Sequence, residues 1–165
     1  MTQTVGVVAA QSKLEASALA AEITGWLAAR GCRVVDEPAL LDGKVLPEVD
    51  AIVVLGGDGL MMRAANAFPD IPLLGINFGK VGFLAMVERR NWQHALEALL
   101  HGDYEIQESA TLAATIERAN QVLDQGWAIN DVVIRSGIKM IDVEVYIDGR
   151  YENTYPGDGM IVSTP

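Results

Sequence analysis

The segment Ala51–Leu55 (AIVVL), followed without a break by Gly56-Gly57-Asp58-Gly59, constrains the fold more than any other stretch of this chain. Five consecutive apolar residues leave no polar face, so a strand built from them is covered on both sides. Such strands belong to parallel sheets with helices packed on each face. The glycines break the strand, and LMMRAANAF (60–68) then reads as a short helix.

The flanking sequence repeats the pattern. Thr4–Ala10 (TVGVVAA) is a second short apolar run. Ser12 is expected to cap a helix, with Glu15 three residues later as in a capping box. Leu14, Ala18, Ile23, Trp26 and Leu27 recur at helical spacing, and Gly31 is expected to end the element as a C′ residue. Cys32–Val35 reads as a strand, and residues 37–50, with Asp, Gly and two prolines, as a loop. Ile71–Ile76 (IPLLGI) is another buried strand and Asn91–His101 an amphipathic helix. The order predicts an α/β fold, an open, mostly parallel sheet of Rossmann-like type.

The texture changes after Gly102. Tyr104–Arg118, Gly126–Arg135, Ile141–Ile147 and Met160–Ser163 are strand-like, with turn signals at Asp124-Gln125-Gly126, Ser136-Gly137 and Asp148-Gly149. Asp148-Gly149 lies between IDVEVYI and RYENTY, a two-residue hairpin signal. We therefore expect two domains, residues 1–101 carrying the glycine loop and residues 102–165 forming the first strands of an antiparallel β-sandwich. The chain ends directly after a strand, which reads as a fragment of a longer fold.

Charge narrows the partners. Twenty-two acidic residues against twelve basic ones give a net charge of −10, a field that disfavours nucleic acid and anionic membranes. It also opposes a phosphorylated ligand, so backbone amides and a divalent cation would have to overcome it locally. The single cysteine, Cys32, excludes an internal disulfide and suits a reducing, cytoplasmic setting. The N-terminus lacks the basic region of a signal peptide, and no run reaches the roughly 18–20 apolar residues of a membrane helix.

Four constellations carry candidate chemistry. Gly56-Gly57-Asp58-Gly59, between a buried strand and a helix, is either a phosphate-approaching loop or a tight turn with Asp58 as N-cap. In the first case Asp58 is a general base, a metal ligand or a cap. Gly75-Ile76-Asn77-Phe78-Gly79-Lys80-Val81-Gly82-Phe83 opens a second loop on the same sheet edge, with Asn77, Gly79, Gly82 and Phe83 as candidates; a turn-rich connection is the plainer alternative. Asn130-Asp131 in WAINDVVIRSG pairs an amide with a carboxylate; as strand neighbours they would face opposite sides. Gly157-Asp158-Gly159 precedes a last strand and by itself is another turn. His94 and His101, seven apart on one helix, have no partner at ligand spacing. Cys32 reads as a small core residue, and Met61 and Met62 as helix packing. No zinc spacing, GxSxG or Walker loop occurs, and no metal ligand is assigned.

In combination and in this order, VVLGGDGLMMRAA, LLGINFGKVGFLA, AINDVVI and DGMIVSTP resemble the NAD kinase family, from about residue 50 to the last residue. The resemblance implies transfer of the γ-phosphate of ATP, or a terminal phosphate of polyphosphate, to the adenosine ribose 2′-hydroxyl of NAD. It implies Asp58 as general base, Gly56, Gly57 and Gly59 holding phosphate or ribose, Asn130, Asp131 and Asp158 contacting NAD, and Lys139 at a looser basic NAD contact. Residues 102–165 become part of an NAD-binding β domain, Mg²⁺ the bridging cation, and a homo-oligomer, dimer or tetramer, the expected assembly. Three departures stand out. Leu60 replaces the usual Thr, Pro156 stands two before Asp158, and the TGSTAY segment of the family does not follow Pro165. Two other readings share the glycine loop, a lipid or sugar kinase and a non-catalytic nucleotide-binding module.

Overall fold

The computed structural model describes residues 3–36, 48–79 and 82–165. The chain divides into two compact units, Met1–Gln107 and Glu108–Pro165.

In the first unit β1 (Thr4–Ala9), α1 (Leu14–Ala28), β2 (Arg33–Asp36), β3 (Ala51–Gly56), α2 (Asp58–Ala67), β4 (Leu73–Asn77) and β5 (Val87–Glu88) are followed by a 3₁₀ turn at Arg89–Asn91 and α3 (Trp92–His101). The strands form one sheet in the order β2-β1-β3-β4-β5, each neighbouring pair parallel. This is the expected α/β architecture, and every residue of β3 is buried. The pleat explains the uninterrupted apolar run, because successive side chains enter opposite layers. Val5, Val7, Val53 and Leu55 pack against Leu19, Ile23 and Leu27 of α1 and Trp92 and Leu96 of α3. Val8, Ile52 and Val54 meet Met61 and Ala64 of α2 and Phe68 at its end.

Several local expectations are corrected. Lys13, not Ser12, is the N-cap of α1, with no side-chain capping bond, and Glu15 pairs with Arg89 instead of closing a box. The buried stripe of α1 is Ala16, Leu19, Ile23 and Leu27; Leu14 is 88% exposed and Ala18 is also exposed, both on the opposite face of the helix. Gly31 does take the left-handed conformation, at φ +82°. Met61 is buried, but Met62 lies on the exposed side of α2. The short strand β5 has only two residues and too little pattern to be read. Of the predicted 37–50 loop, residues 37–47 lie outside the described residues, as do Lys80 and Val81.

The second unit is antiparallel. β6 (Leu112–Arg118) pairs with β7 (Gln121–Ala128), β8 (Asp131–Arg135) with β11 (Gly159–Ser163), and β9 (Ile141–Ile147) with β10 (Arg150–Gly157), as three two-stranded ribbons. Asp148-Gly149 is a hairpin turn with φ +51° and +75°, the backbone that its composition favours. The turn expected at Asp124-Gln125-Gly126 is absent: these residues pair within β7 with Ile116, Thr115 and Ala114. The chain reverses instead at Ala119-Asn120, both left-handed; Asn tolerates that backbone through its short polar side chain. The strand expected from Tyr104 begins only at Leu112, and Gly126–Arg135 is split by a bend at residues 129–130. Among the described residues no helix is long and apolar enough to cross a membrane.

Candidate active site at the carboxyl edge of the parallel sheet

The strand order places β2 on one side of β1 and β3 on the other. The connections leaving β1 and β3 therefore diverge to opposite faces, and a crevice opens between them at their carboxyl ends. Open α/β sheets bind ligands at such a switch point. Here it is flanked by the β1–α1 connection, residues 10–13, and by the glycine loop after β3. Backbone bonds stitch this edge together. The Ala10 N–H donates to the Leu55 carbonyl at 3.0 Å and the Phe78 N–H to the Gly56 carbonyl at 3.1 Å. The Lys13 ammonium donates to the Phe78 carbonyl at 2.7 Å.

The glycines of the loop are not equivalent. A β-carbon on Gly56 would meet Leu60 Cδ2 at 2.7 Å, so Leu60 covers this glycine and packs toward the α2 core. That placement gives Leu60 an apolar, packing role. A β-carbon on Gly57 or Gly59 would meet nothing within 4 Å. Gly57 is the N-cap of α2, with no side chain to occupy the first-turn N–H groups. Those groups lack intrahelical acceptors and carry the positive end of the helix dipole.

Asp58 is the first residue of α2 rather than its cap, and its carboxylate reaches across to the second loop. Oδ2 accepts the Phe83 N–H at 2.9 Å, while Oδ1 accepts those of Leu84 at 3.1 Å and Ala85 at 3.0 Å. These bonds, led by Ala85 and Phe83, hold its pKa below the ordinary carboxylate value against a smaller opposing effect of burial. A β-carbon on Gly82 would collide with the Asp58 carboxylate. The two glycine constellations are thus one assembly, Gly56–Gly59 on one side and Gly82–Ala85 on the other, joined by Asp58. Phe83 itself stands 95% exposed. Asn77, buried at the end of β4, lies beside Gly56 in the sheet register, and Gly79 faces Lys13.

Beside this edge an open groove of about 750 Å³ is lined by Glu15, Asn77, Phe78, Gly79, Arg89 and Trp92 among others. The Arg89 guanidinium pairs with Glu15 at 2.7 Å and lies 5.2 Å from the centre of the Phe78 ring.

The second unit holds the remaining candidates at two ends of one ribbon. Asn130 and Asp131 do not diverge across a strand: Asn130 precedes β8, and its amide donates to the Asp131 carboxylate at 3.0 Å. They sit beside Ser163 and Thr164, whose N–H donates to the Asn130 carbonyl at 2.9 Å. Asp158 is at the opposite end, its carbonyl accepting the Ser136 N–H at 2.8 Å, with Gly159 paired to Arg135. Four residues of strand, roughly 13 Å at ~3.3 Å each, separate the two ends. Lys139 is exposed in the bend after β8. His101 donates Nδ1–H to the Glu97 carbonyl at 2.8 Å, and His94 is exposed. Cys32 is half-buried against the α1 core, and burial raises its pKa against the opposing charge of Arg30. Pattern reading passed over Lys13 at the glycine edge, as it did Leu84 and Ala85; the signal for Lys13 was its place in the connection that follows an apolar strand.

Residues 41–104 match the family model described as "ATP-NAD kinase N-terminal domain". The chain is 56% identical over its full length to the NAD kinase of Thermomicrobium roseum, of which it covers 57%. It is 45% identical over 134 residues to that of Natranaerobius thermophilus, covering 78% of this chain and 47% of the relative. In fold it matches yeast NADH kinase complexed with NADH, with a TM-score of 0.83 at 16% identity, over 98% of this chain and 57% of that one. The chain thus spans a little over half the length of its first relative, and over that span its sequence is similar to the NAD kinase family.

Proposed function

We propose that this chain serves NAD kinase chemistry, phosphorylating the adenosine ribose 2′-hydroxyl of NAD at the edge built by Gly56–Gly59 and Gly82–Ala85. The observation that carries the reading is the placement of the glycine loop at the switch point, with the Asp58 carboxylate fixed between the two loops. The sequence relatives, named NAD kinases, agree with it.

In this mechanism the open space over Gly57 and Gly59 lets phosphate oxygens approach the first-turn N–H groups of α2. The 2′-oxygen bonds to the terminal phosphorus of ATP, or of polyphosphate, as the bond from that phosphorus to its bridging oxygen breaks. ADP or the shortened polyphosphate leaves. The hydroxyl proton passes to Asp58, where Oδ2, with one N–H partner against two on Oδ1, has the freer lone pair. Asp58 is ionised and weakly basic, so it takes the proton only as the new bond acidifies the hydroxyl. Positioning and charge compensation do the larger share.

Mg²⁺ fits this arrangement as a cation carried on the donor phosphates, whose charge it would neutralise. Among the described residues no cluster of three metal-ligating side chains occurs, and Mg²⁺ commonly needs only one or two protein carboxylates. Asn130, Asp131, Lys139 and Asp158 are proposed NAD contacts, supported by family resemblance and by the exposure of all four. Residues 1–101 would be the nucleotide-binding domain and 102–165 part of an NAD-binding one. A cytoplasmic homo-oligomer completes the reading, supported by the single cysteine and by exposed apolar residues such as Ile138 and Ile161.

The test is product analysis after incubating the chain with NAD and Mg-ATP. NADP carrying a 2′-phosphate, absent with Asp58→Asn, is the expected result. Phosphorylation of a lipid or sugar but not of NAD would transfer the site to the related kinases that share the loop. Binding of NAD and ATP without any turnover would make the chain a nucleotide-binding module.

A further inference from the structure

We infer that Lys13 is a positioning residue for the phosphoryl donor, its ammonium balancing donor phosphate charge at the switch point. The inference rests on the function proposed above and adds the residue that recognises the donor. Lys13 ends the β1–α1 connection, one of the two segments that flank the crevice; the glycine loop is the other. Its side chain does not trail into solvent but crosses to the exit of β4, donating to the Phe78 carbonyl at 2.7 Å. The Phe78 N–H in turn donates to the carbonyl of Gly56, the first glycine of the loop. One residue, Phe78, therefore links the Lys13 ammonium to the phosphate-approaching loop.

Charge strengthens the case. The protein carries a net −10, so a polyanionic donor needs local positive charge. Of the nearby cations, Arg89 is neutralised by Glu15 at 2.7 Å and Arg90 by Glu88 at 2.7 Å. No carboxylate lies within 4.0 Å of the Lys13 ammonium among the described residues, whose ion pairs are those two and Arg30 with Glu97. An ammonium has three donors and spends one on Phe78. Two remain for phosphate oxygens, and its strong hydration and flexible stem suit a point-charge contact with a chain of phosphates. Gly79, whose β-carbon would come within 4.0 Å of Nζ, leaves that approach open.

The experiment measures binding of inorganic tripolyphosphate with Mg²⁺, and separately of NAD, to the wild-type chain, Lys13→Gln and Lys13→Arg. Lys13→Gln is expected to weaken tripolyphosphate binding roughly 10-fold or more, the scale of a lost charged hydrogen bond. NAD binding should change less than about 2-fold on the same scale, and Lys13→Arg should restore most of the loss. A merely structural role for the Lys13–Phe78 bond would instead weaken both ligands together. Equal tripolyphosphate binding by wild type and Lys13→Gln overturns the inference and leaves the proposed function intact, as does NAD binding without any tripolyphosphate binding by wild type. A wild-type chain that binds neither ligand overturns the proposed function and this inference with it.

Discussion

Gly82 lies against the carboxylate of Asp58 so closely that no β-carbon fits between them, and the next three residues all donate N–H groups to the same carboxylate. The glycine belongs to one constellation and the aspartate to another, 24 residues apart in number. Gly82→Ala must therefore push Asp58 or the Phe83–Ala85 backbone aside. The expected result is a loss of about 1–3 kcal/mol in urea unfolding, the range of overpacking, together with weaker nucleotide binding. Unchanged stability and binding would show that the loops do not depend on this contact.

Gly57→Ala is the contrasting variant. Its β-carbon enters empty space and its backbone lies outside the left-handed region, so stability should change by less than about 1 kcal/mol. Mg-ATP binding should nevertheless fall, because under the proposed function phosphate approaches through the space that the β-carbon fills. Thermal melts beside calorimetric titration separate the two effects. A variant that binds Mg-ATP as well as wild type would remove the glycine loop from the site.

The lowered pKa of Asp58 has a defined pH signature. A carboxyl group whose folded pKa lies below its unfolded value stabilises the fold above the unfolded pKa, near 4, and loses that contribution as pH falls through the folded value. The stability gap between wild type and Asp58→Asn should be constant from pH 8 to about 5 and should close in more acid solution. Asn cannot accept through its NH₂ group, so one or more of the three N–H donors loses its partner. With Phe83 exposed, about 1 kcal/mol is expected. In turnover Asp58 should add no ionisation between about pH 5 and 8. A gap that widens as the solution is acidified would reverse the assignment.

The edge depends on the layers beneath it. Ile76 is fully buried one residue before Asn77, and Ile76→Ala should cost about 2–5 kcal/mol while Ile76→Val costs about 0.5–1.5. Chemical denaturation of both variants checks the series. A loss below about 1 kcal/mol for Ile76→Ala would mean that this side chain is not the anchor of β4.

The parallel sheet was legible because β3 and its neighbours are buried on both faces, which leaves a continuous apolar run no other placement. The glycine loop was legible for the same reason, as an interruption at the end of such a run. What could not be read was tertiary. The N-cap of α1 fell on Lys13 instead of Ser12, because the helix phase is set by burial of Leu19, Ile23 and Leu27 and not by the local capping pattern. Asp124-Gln125-Gly126 has turn composition, yet cross-strand pairing with Ala114–Ile116 absorbs it. The Asp58 bonds to Phe83–Ala85 leave no trace in spacing, since a carboxylate aimed at backbone N–H groups selects no side chain. Asn130 and Asp131 were noticed as a pair, but their mutual bond and their distance along the ribbon from Asp158 appear only in the fold.

The most direct test of the central claim, that phosphates bind at the switch point, is an amide-resolved NMR titration of the chain with Mg-ATP. The account predicts the largest shifts at Gly57–Gly59 and Gly82–Ala85, with smaller ones at Lys13 and Gly79. Shifts confined to other parts of the chain, or none at millimolar nucleotide, would contradict it.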